Sequence, residues 1–336
     1  MNHLKTQLVL LVLSTVSLLT GAFGQLTPSG DSYGPAHSRL GLLTSRMKAQ
    51  PTSNPSRQAQ SPGSPDISFT FGMVDFPGQM ETIAYGVNDK GEIVGAYGPE
   101  LAGGGFLLKG TKFTEVNYPG STYTEPNGMN DSGVIVGQYG TASNGEQGFE
   151  LAGKTWTTID YPGASLSTAN AINKSGDIVG VWYCCGLAHG FLLAKGVFTS
   201  IDVPGAAYTN AFGINKTGEI VGQYGNSDGS AHGFLLQNGT FTTIDYPGGY
   251  SQNYLGGINN QGVIVGGYGE PMTVNGVIYY TQHAFIYQGG HFTNADVPFG
   301  PPAVTIPSAL SNKGVIVGEY VDNSGTVYGY EATVGP

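Results

Sequence analysis

The chain has 336 residues, 55 of them Gly, with 11% charged residues and a formal net charge of −10. Gly without a three-residue period excludes a collagen-like rod, and 20 Tyr with 15 Phe exclude a wholly disordered chain. All three Arg (Arg39, Arg46, Arg57) precede residue 60, and residues 67–336 hold eight Lys against 21 acids. This part repels a phosphate backbone and lacks the bidentate fork for anions, which excludes nucleic acid as a partner.

Residues 1–24 read as a secretory signal peptide. Lys5 precedes the apolar run 8–19, and Ala22 and Gly24 are small residues before a cut at Gln25. The run is shorter than the ~20 residues of a membrane-spanning helix, so no span is expected after signal removal. Residues 25–66, rich in Pro, Ser and Gln without an apolar period, read as a disordered linker. The expected location is secreted, periplasmic or extracellular.

From residue 67 a unit of about 43 residues recurs six times. Its YPG-type element falls at Pro77, Pro119, Pro162, Pro204, Pro247 and Pro298, and an Ile-Val-Gly triplet follows each one. Each unit predicts four short strands. Strand one is T-x-A-x-GIN, strand two is IVG-x-Y, strand three is GFLL and strand four is FT-x-ID. The N-x-x-G link between the first two is a tight hairpin, in which Asn caps its own backbone and Gly takes the positive φ. Four strands per unit of this length make a β-propeller blade. The last unit stops after its third strand, and an orphan fourth strand, about 67–75, precedes the first unit. The expected fold is therefore all-β, a six-bladed β-propeller of four-stranded blades over 67–336, closed by the N-terminal strand in the last blade.

Five copies of [GA]-[IVMAL]-N-x-x-G-x-IVG, and a sixth with Ser311 at the Asn position, resemble the bacterial extracellular HAF-repeat proteins. His189-Gly190-Phe191, His232-Gly233-Phe234 and His283-Ala284-Phe285 match the namesake tripeptide, while Gly104, Gln147 and Tyr328 stand at the His position of the other units. The resemblance implies a propeller-like fold and export, and implies no chemistry.

Alternating strands divide the loops between two faces. The one–two and three–four hairpins are short and uniform. The blade links and the two–three loops share the opposite face, which holds the length variation and many aromatics. Variable loops on a rigid scaffold are where function concentrates. Tyr123, Trp182, Tyr183 and Tyr208 are nominated as ligand contacts, with Tyr224, Tyr254 and Tyr268. For the Tyr set that ends strand two, packing between blades is the competing role. Glu81 and Glu125 fall on or just before the innermost strand and are the catalytic candidates if the protein is an enzyme, since a glycosidase needs two carboxylates at a set separation.

His189, His232 and His283 occupy equivalent off-axis positions too far apart to share a metal, so no metal or cofactor is expected. Cys184 and Cys185 are the only Cys. They form a strained vicinal disulfide, or stay free, or bond to another chain. The expected function is a non-catalytic binding or scaffold module at the cell envelope, with a neutral glycan or a protein on the variable-loop face. The alternative is a polysaccharide hydrolase or lyase with acids at the channel mouth. A third reading is a mainly structural surface component. The oligomeric state is not legible.

Overall fold

The computed structural model describes residues 68–98, 103–142, 145–248, 250, 252–274, 277–298, 304–322 and 325–335. The signal peptide and linker expected over 1–66 lie outside the described residues. Every element is a strand. The orphan strand is β1 (Phe69–Val74). Blade one holds β2 (Thr82–Val87), β3 (Ile93–Tyr97), β4 (Gly104–Lys109) and β5 (Lys112–Val116). Blade two holds β6 (Tyr123–Met129), β7 (Ile135–Thr141), β8 (Gly145–Ala152) and β9 (Thr155–Ile159). Blade three holds β10 (Leu166–Ile172), β11 (Ile178–Cys184), β12 (Leu187–Ala194) and β13 (Val197–Ile201). Blade four holds β14 (Tyr208–Ile214), β15 (Ile220–Gly225), β16 (Ala231–Gln237) and β17 (Thr240–Thr243). Blade five holds β18 (Asn253–Ile258), β19 (Ile264–Val274), β20 (Val277–Gln288) and β21 (His291–Asn294). Blade six holds β22 (Val304–Leu310), β23 (Val315–Val321) and β24 (Val327–Val334).

Six antiparallel four-stranded sheets result, and the sixth has the order β1-β24-β23-β22. The chain therefore forms a six-bladed β-propeller. Its first strand completes its last blade, with Phe71 opposite Ala332 and Val74 opposite Gly329. The β2 strand packs on β6 of blade two and on β22 of blade six, so the ring is closed.

The Ile-Val-Gly triplet explains how one repeat serves two interfaces. Successive residues of a strand face opposite sides of the sheet. Ile93 packs with Tyr97, Phe106 and Val317 of blade six, while Val94 packs with Ile135 and Phe149 of blade two. The same exchange joins Val136 to Ile178, Val179 to Ile220, Val221 to Ile264 and Val265 to Ile316. The Gly lies opposite the Phe of strand three, as Gly95 opposite Phe106. A Cβ on Gly95 would sit 2.9 Å from that ring and 1.9 Å from the Ile83 carbonyl oxygen, so only Gly fits. The five such Phe side chains are fully buried, each contributing roughly 1.5–3 kcal/mol by burial.

Each innermost strand carries a β-bulge at the same repeat position, as at Tyr85 between Ala84 and Gly86. The extra residues Tyr85, Asn127, Asn170, Phe212, Gly256 and Ser308 are all buried where the inner strands converge. Asn127 Nδ2 donates to the Ala169 carbonyl of the next blade at 3.1 Å. The side-chain oxygen at the third position before each bulge accepts from the blade link, as Thr124 Oγ1 does from Tyr118 N at 2.9 Å. At the N-x-x-G turns, Asn88 Oδ1 accepts from Lys90 N and Glu92 N, both at 3.0 Å. These turns are therefore self-capped, and they anchor the short-hairpin face.

Candidate functional site

Most of the repeated aromatics are scaffold. The aromatic that ends strand two stacks on the residue before the link Pro. Phe76 and Tyr97 lie 3.9 Å apart, Tyr118 and Tyr139 3.6 Å, Tyr161 and Trp182 4.1 Å, and Tyr246 and Tyr268 4.1 Å. Trp182, Tyr224 and Tyr268 also stack on His189, His232 and His283. These three nominated contacts are thus committed to packing. Tyr254 is buried, its ring lying across Gly267.

Tyr123, Tyr183 and Tyr208 behave differently. They sit at the variable-loop end of blades two, three and four, Tyr123 and Tyr208 at the start of the inner strands β6 and β14 and Tyr183 near the end of β11, and each is half-buried. Tyr123 lies opposite Gly140, which lies opposite Glu146. Because Gly140 has no side chain, the Tyr123 ring crosses it; a Cβ there would lie 2.1 Å from the ring. The Tyr123 hydroxyl thereby donates to Glu146 Oε2 at 2.8 Å. Tyr208 crosses Gly225 in the same way, and its hydroxyl reaches Gln223 Oε1 at 3.4 Å.

The acids behind these rings are buried. Glu125 lies opposite Gln138, whose Nε2 donates to Glu125 Oε2 at 2.7 Å. Burial, then the nearby Glu146 charge, pushes the Glu125 carboxyl up to about 8. Burial pushes Glu146 up to about 7, against the lowering effect of the Tyr123 hydroxyl. Burial, then the charge of Glu146, raises the Tyr183 hydroxyl, and burial, then Tyr183, raises that of Tyr208 to about 12. The three rings and two carboxyls form one electrostatically linked group across three blades. Beside it a cleft of about 370 Å³ is lined by Asn117, Tyr118, Ser121, Thr122, Tyr123 and neighbouring backbone.

Glu81 is not part of this group. Its electrostatic neighbour is Glu319 of blade six, whose buried carboxyl is pushed up to about 7. The expected Glu81–Glu125 pair is replaced by two separate pairs, Glu125–Glu146 and Glu81–Glu319. Sequence reasoning overlooked Glu146, which stands where other blades have Ala188, Ala231, Gln282 and Val327. A carboxylate at a small or neutral repeat position was the available signal.

The namesake His residues hold their own blade links. His189, His232 and His283 meet Asp202, Asp245 and Asp296 through Nδ1 at 2.7, 2.6 and 2.9 Å. Among the described residues no group of three or more His, Cys, Asp or Glu is placed to hold a metal. Among them also, no helix is long and apolar enough to cross a membrane. The Cys184 and Cys185 Sγ atoms lie 3.1 Å apart at the turn between β11 and β12.

No protein-family model matches the sequence, and no curated protein sequence does. Solved structures of similar shape include the Aleuria aurantia lectin, as a mutant in complex with Fucα1-6GlcNAc. It has 11% identity over 76% of this chain and 95% of that chain, with a TM-score of 0.44. A mutant of AofleA from Arthrobotrys oligospora has 11% identity over 82% and 96%, with a TM-score of 0.43. An ulvan lyase has 12% identity over 75% and 85%, with a TM-score of 0.37.

Proposed function

We propose that this protein is an exported, non-catalytic glycan-binding propeller of the HAF-repeat kind, acting at the cell envelope. Its ligand lies against the rim over blades two to four. One observation carries the reading. Tyr123, Tyr183 and Tyr208 come from three consecutive blades to one half-buried group, while the other repeated aromatics are used up in stacking. Such rings offer flat faces to the C–H surfaces of sugars, and Glu146 Oε1, which has no hydrogen-bond partner, offers an acceptor to a hydroxyl. The signal-like segment 1–24 and the HAF-type repeat support export.

The test uses the full chain on a panel of bacterial and plant polysaccharides, with bound ligand and released products read from the same samples. Binding without release is expected, weakened at least tenfold by Tyr183→Ala or Tyr208→Ala. Absence of binding across the panel overturns the reading. A second reading, polysaccharide cleavage, is favoured by one observation, the adjacent carboxyls of Glu125 and Glu146 held protonated near neutral pH. A general acid needs that state. Release of oligosaccharide that Glu125→Gln or Glu146→Gln abolishes would replace the first reading by this one.

A further inference from the structure

Charge is divided between the two faces of the ring. All eight Lys of residues 67–336 lie in the short hairpins of one face: Lys90, Lys174, Lys216 and Lys313 in the one–two turns, and Lys109, Lys112, Lys154 and Lys195 at the three–four turns. Among the described residues, the variable-loop face has no Lys or Arg. Its basic side chains are His189, His232 and His283, each held on an Asp. The same face carries acids in its links and loops, including Asp160 and Asp228, while Glu270 meets His283 Nε2 at 3.3 Å. A face with more acids than bases attracts cations and repels anions.

Within that face the rim over blades two to four is a built site. Glu125 is 3% exposed and Glu146 7%. The groups that act on them are each other, Gln138 and Tyr123, and none is a cation. Glu146 Oε1 is buried and has no hydrogen-bond partner. Thr168 stands in blade three at the repeat position of Glu125, and Asn210 stands there in blade four. Thr168 is fully buried, and its Oγ1, like Asn210 Oδ1, has no partner. Three oxygens without donors therefore follow the arc of the three tyrosines. Glu146 Oε1 and Asn210 Oδ1 accept, so a ligand that satisfies these two must bring N–H or O–H donors. One that also offsets the repulsion between Glu125 and Glu146 must bring positive charge. An ammonium group does both, and a tyrosine face attracts it further.

We infer that this rim binds a glycan carrying free primary ammonium groups, such as a run of glucosamine units. The ammonium sits against Glu146 and Glu125, and the sugar rings lie on Tyr123, Tyr183 and Tyr208. The inference rests on the glycan-binding reading above and narrows its ligand from neutral to cationic sugar. Burial favours the protonated carboxyls of Glu125 and Glu146 and an ammonium favours the ionised ones, so binding releases protons and strengthens as pH rises from about 7 to 8.

The experiment measures calorimetric affinity of the full chain for glucosamine hexamer, N-acetylglucosamine hexamer, cellohexaose and hexalysine at pH 7 and low salt. The glucosamine hexamer should bind at least tenfold tighter than each of the other three, and raised salt should weaken it. Glu146→Gln, folded by circular dichroism, should lower that affinity about tenfold. Equal binding of the N-acetylated or glucose hexamer overturns the inference and leaves the glycan reading standing. Equal binding of hexalysine overturns it in favour of a cationic peptide. Binding of no sugar overturns both. The wild-type comparison decides among these without any variant.

Discussion

Asn312 and Asp89 are 223 residues apart in sequence, yet the Asn312 backbone N–H and side-chain Nδ2 each donate to an Asp89 carboxylate oxygen at 2.8 Å. They join the one–two turns of blades six and one. Elsewhere around the ring the same turns are linked by Asn side chains, as from Asn173 Nδ2 to the Asn215 carbonyl at 3.2 Å. The turns of blades one and two are also joined through a carboxylate, Asp89 N donating to Asp131 Oδ1 at 2.9 Å, and at the closing link both Asp89 oxygens accept a bond.

Asp89→Ala should therefore cost about 1–2 kcal/mol, the range for hydrogen bonds to a charged group at a partly exposed site. Urea unfolding would measure it. The neighbouring Lys313→Ala removes no closing bond and should change stability by less than about 0.5 kcal/mol. Equal effects of the two would argue against a closing role for Asp89.

Tyr268 and Tyr183 should separate scaffold from site. Tyr268 is fully buried and stacked on Tyr246. Tyr268→Ala should cost about 3–5 kcal/mol, as for other large buried aromatics. Tyr183→Ala, at a half-buried rim, should cost less than about 2 kcal/mol while weakening glycan binding. Thermal melting and binding on the same samples would show whether the two effects divide this way.

Stability should fall as pH rises from about 5 to 8. The carboxyls of Glu125, Glu146 and Glu319 are raised in the folded protein to about 8, 7 and 7, from an ordinary 4.5. Across that window the folded state holds more protons than the unfolded one, so their contribution is complete below the unfolded value and lost as pH passes the folded ones. Glu125→Gln stays neutral throughout. It should flatten the decline in melting temperature and exceed wild type at pH 8, by on the order of 2 kcal/mol. A melting temperature that rises over this window in wild type would contradict the sign.

The Cys184–Cys185 turn should respond to backbone relief. Cys185 and Gly186 are the two residues between Cys184 and Leu187, with φ of 57° and 83°. Both belong to the left-handed region that a two-residue hairpin turn requires and that Cys tolerates poorly. Cys185→Gly should be stabilising or neutral, within about 1 kcal/mol. Thiol titration of the folded chain should count two thiols. A count of zero would indicate oxidation and make the stability comparison one between bonded and free forms.

Much of the fold was legible because the repeat writes each local device several times. The positive-φ Gly of the N-x-x-G turns, such as Gly91 at 73° and Gly133 at 81°, appears where the spacing predicts it. Less of the site was legible. Trp182 and Tyr183 are adjacent aromatics with similar composition around them. The two-residue period of a strand sends one into the stack with Tyr161 and the other to the rim near Glu146. Sequence alone does not say which face a neighbouring blade will cover.

The sequence by itself determined the blade, the number of blades and the closing strand, because turns, two-residue alternation and the Gly–Phe pair act within one unit or its nearest neighbour. Only the tertiary structure decided which acids share an environment. Glu81 meets Glu319, while Glu125 meets Glu146, because closing the ring brings blade one against blade six and leaves Glu125 beside strand three of its own blade. It also decided their chemistry. A carboxyl at the start of an inner strand is solvated or buried according to the side chains that converge around it. Here Gly140, by having none, lets Tyr123 close over Glu146.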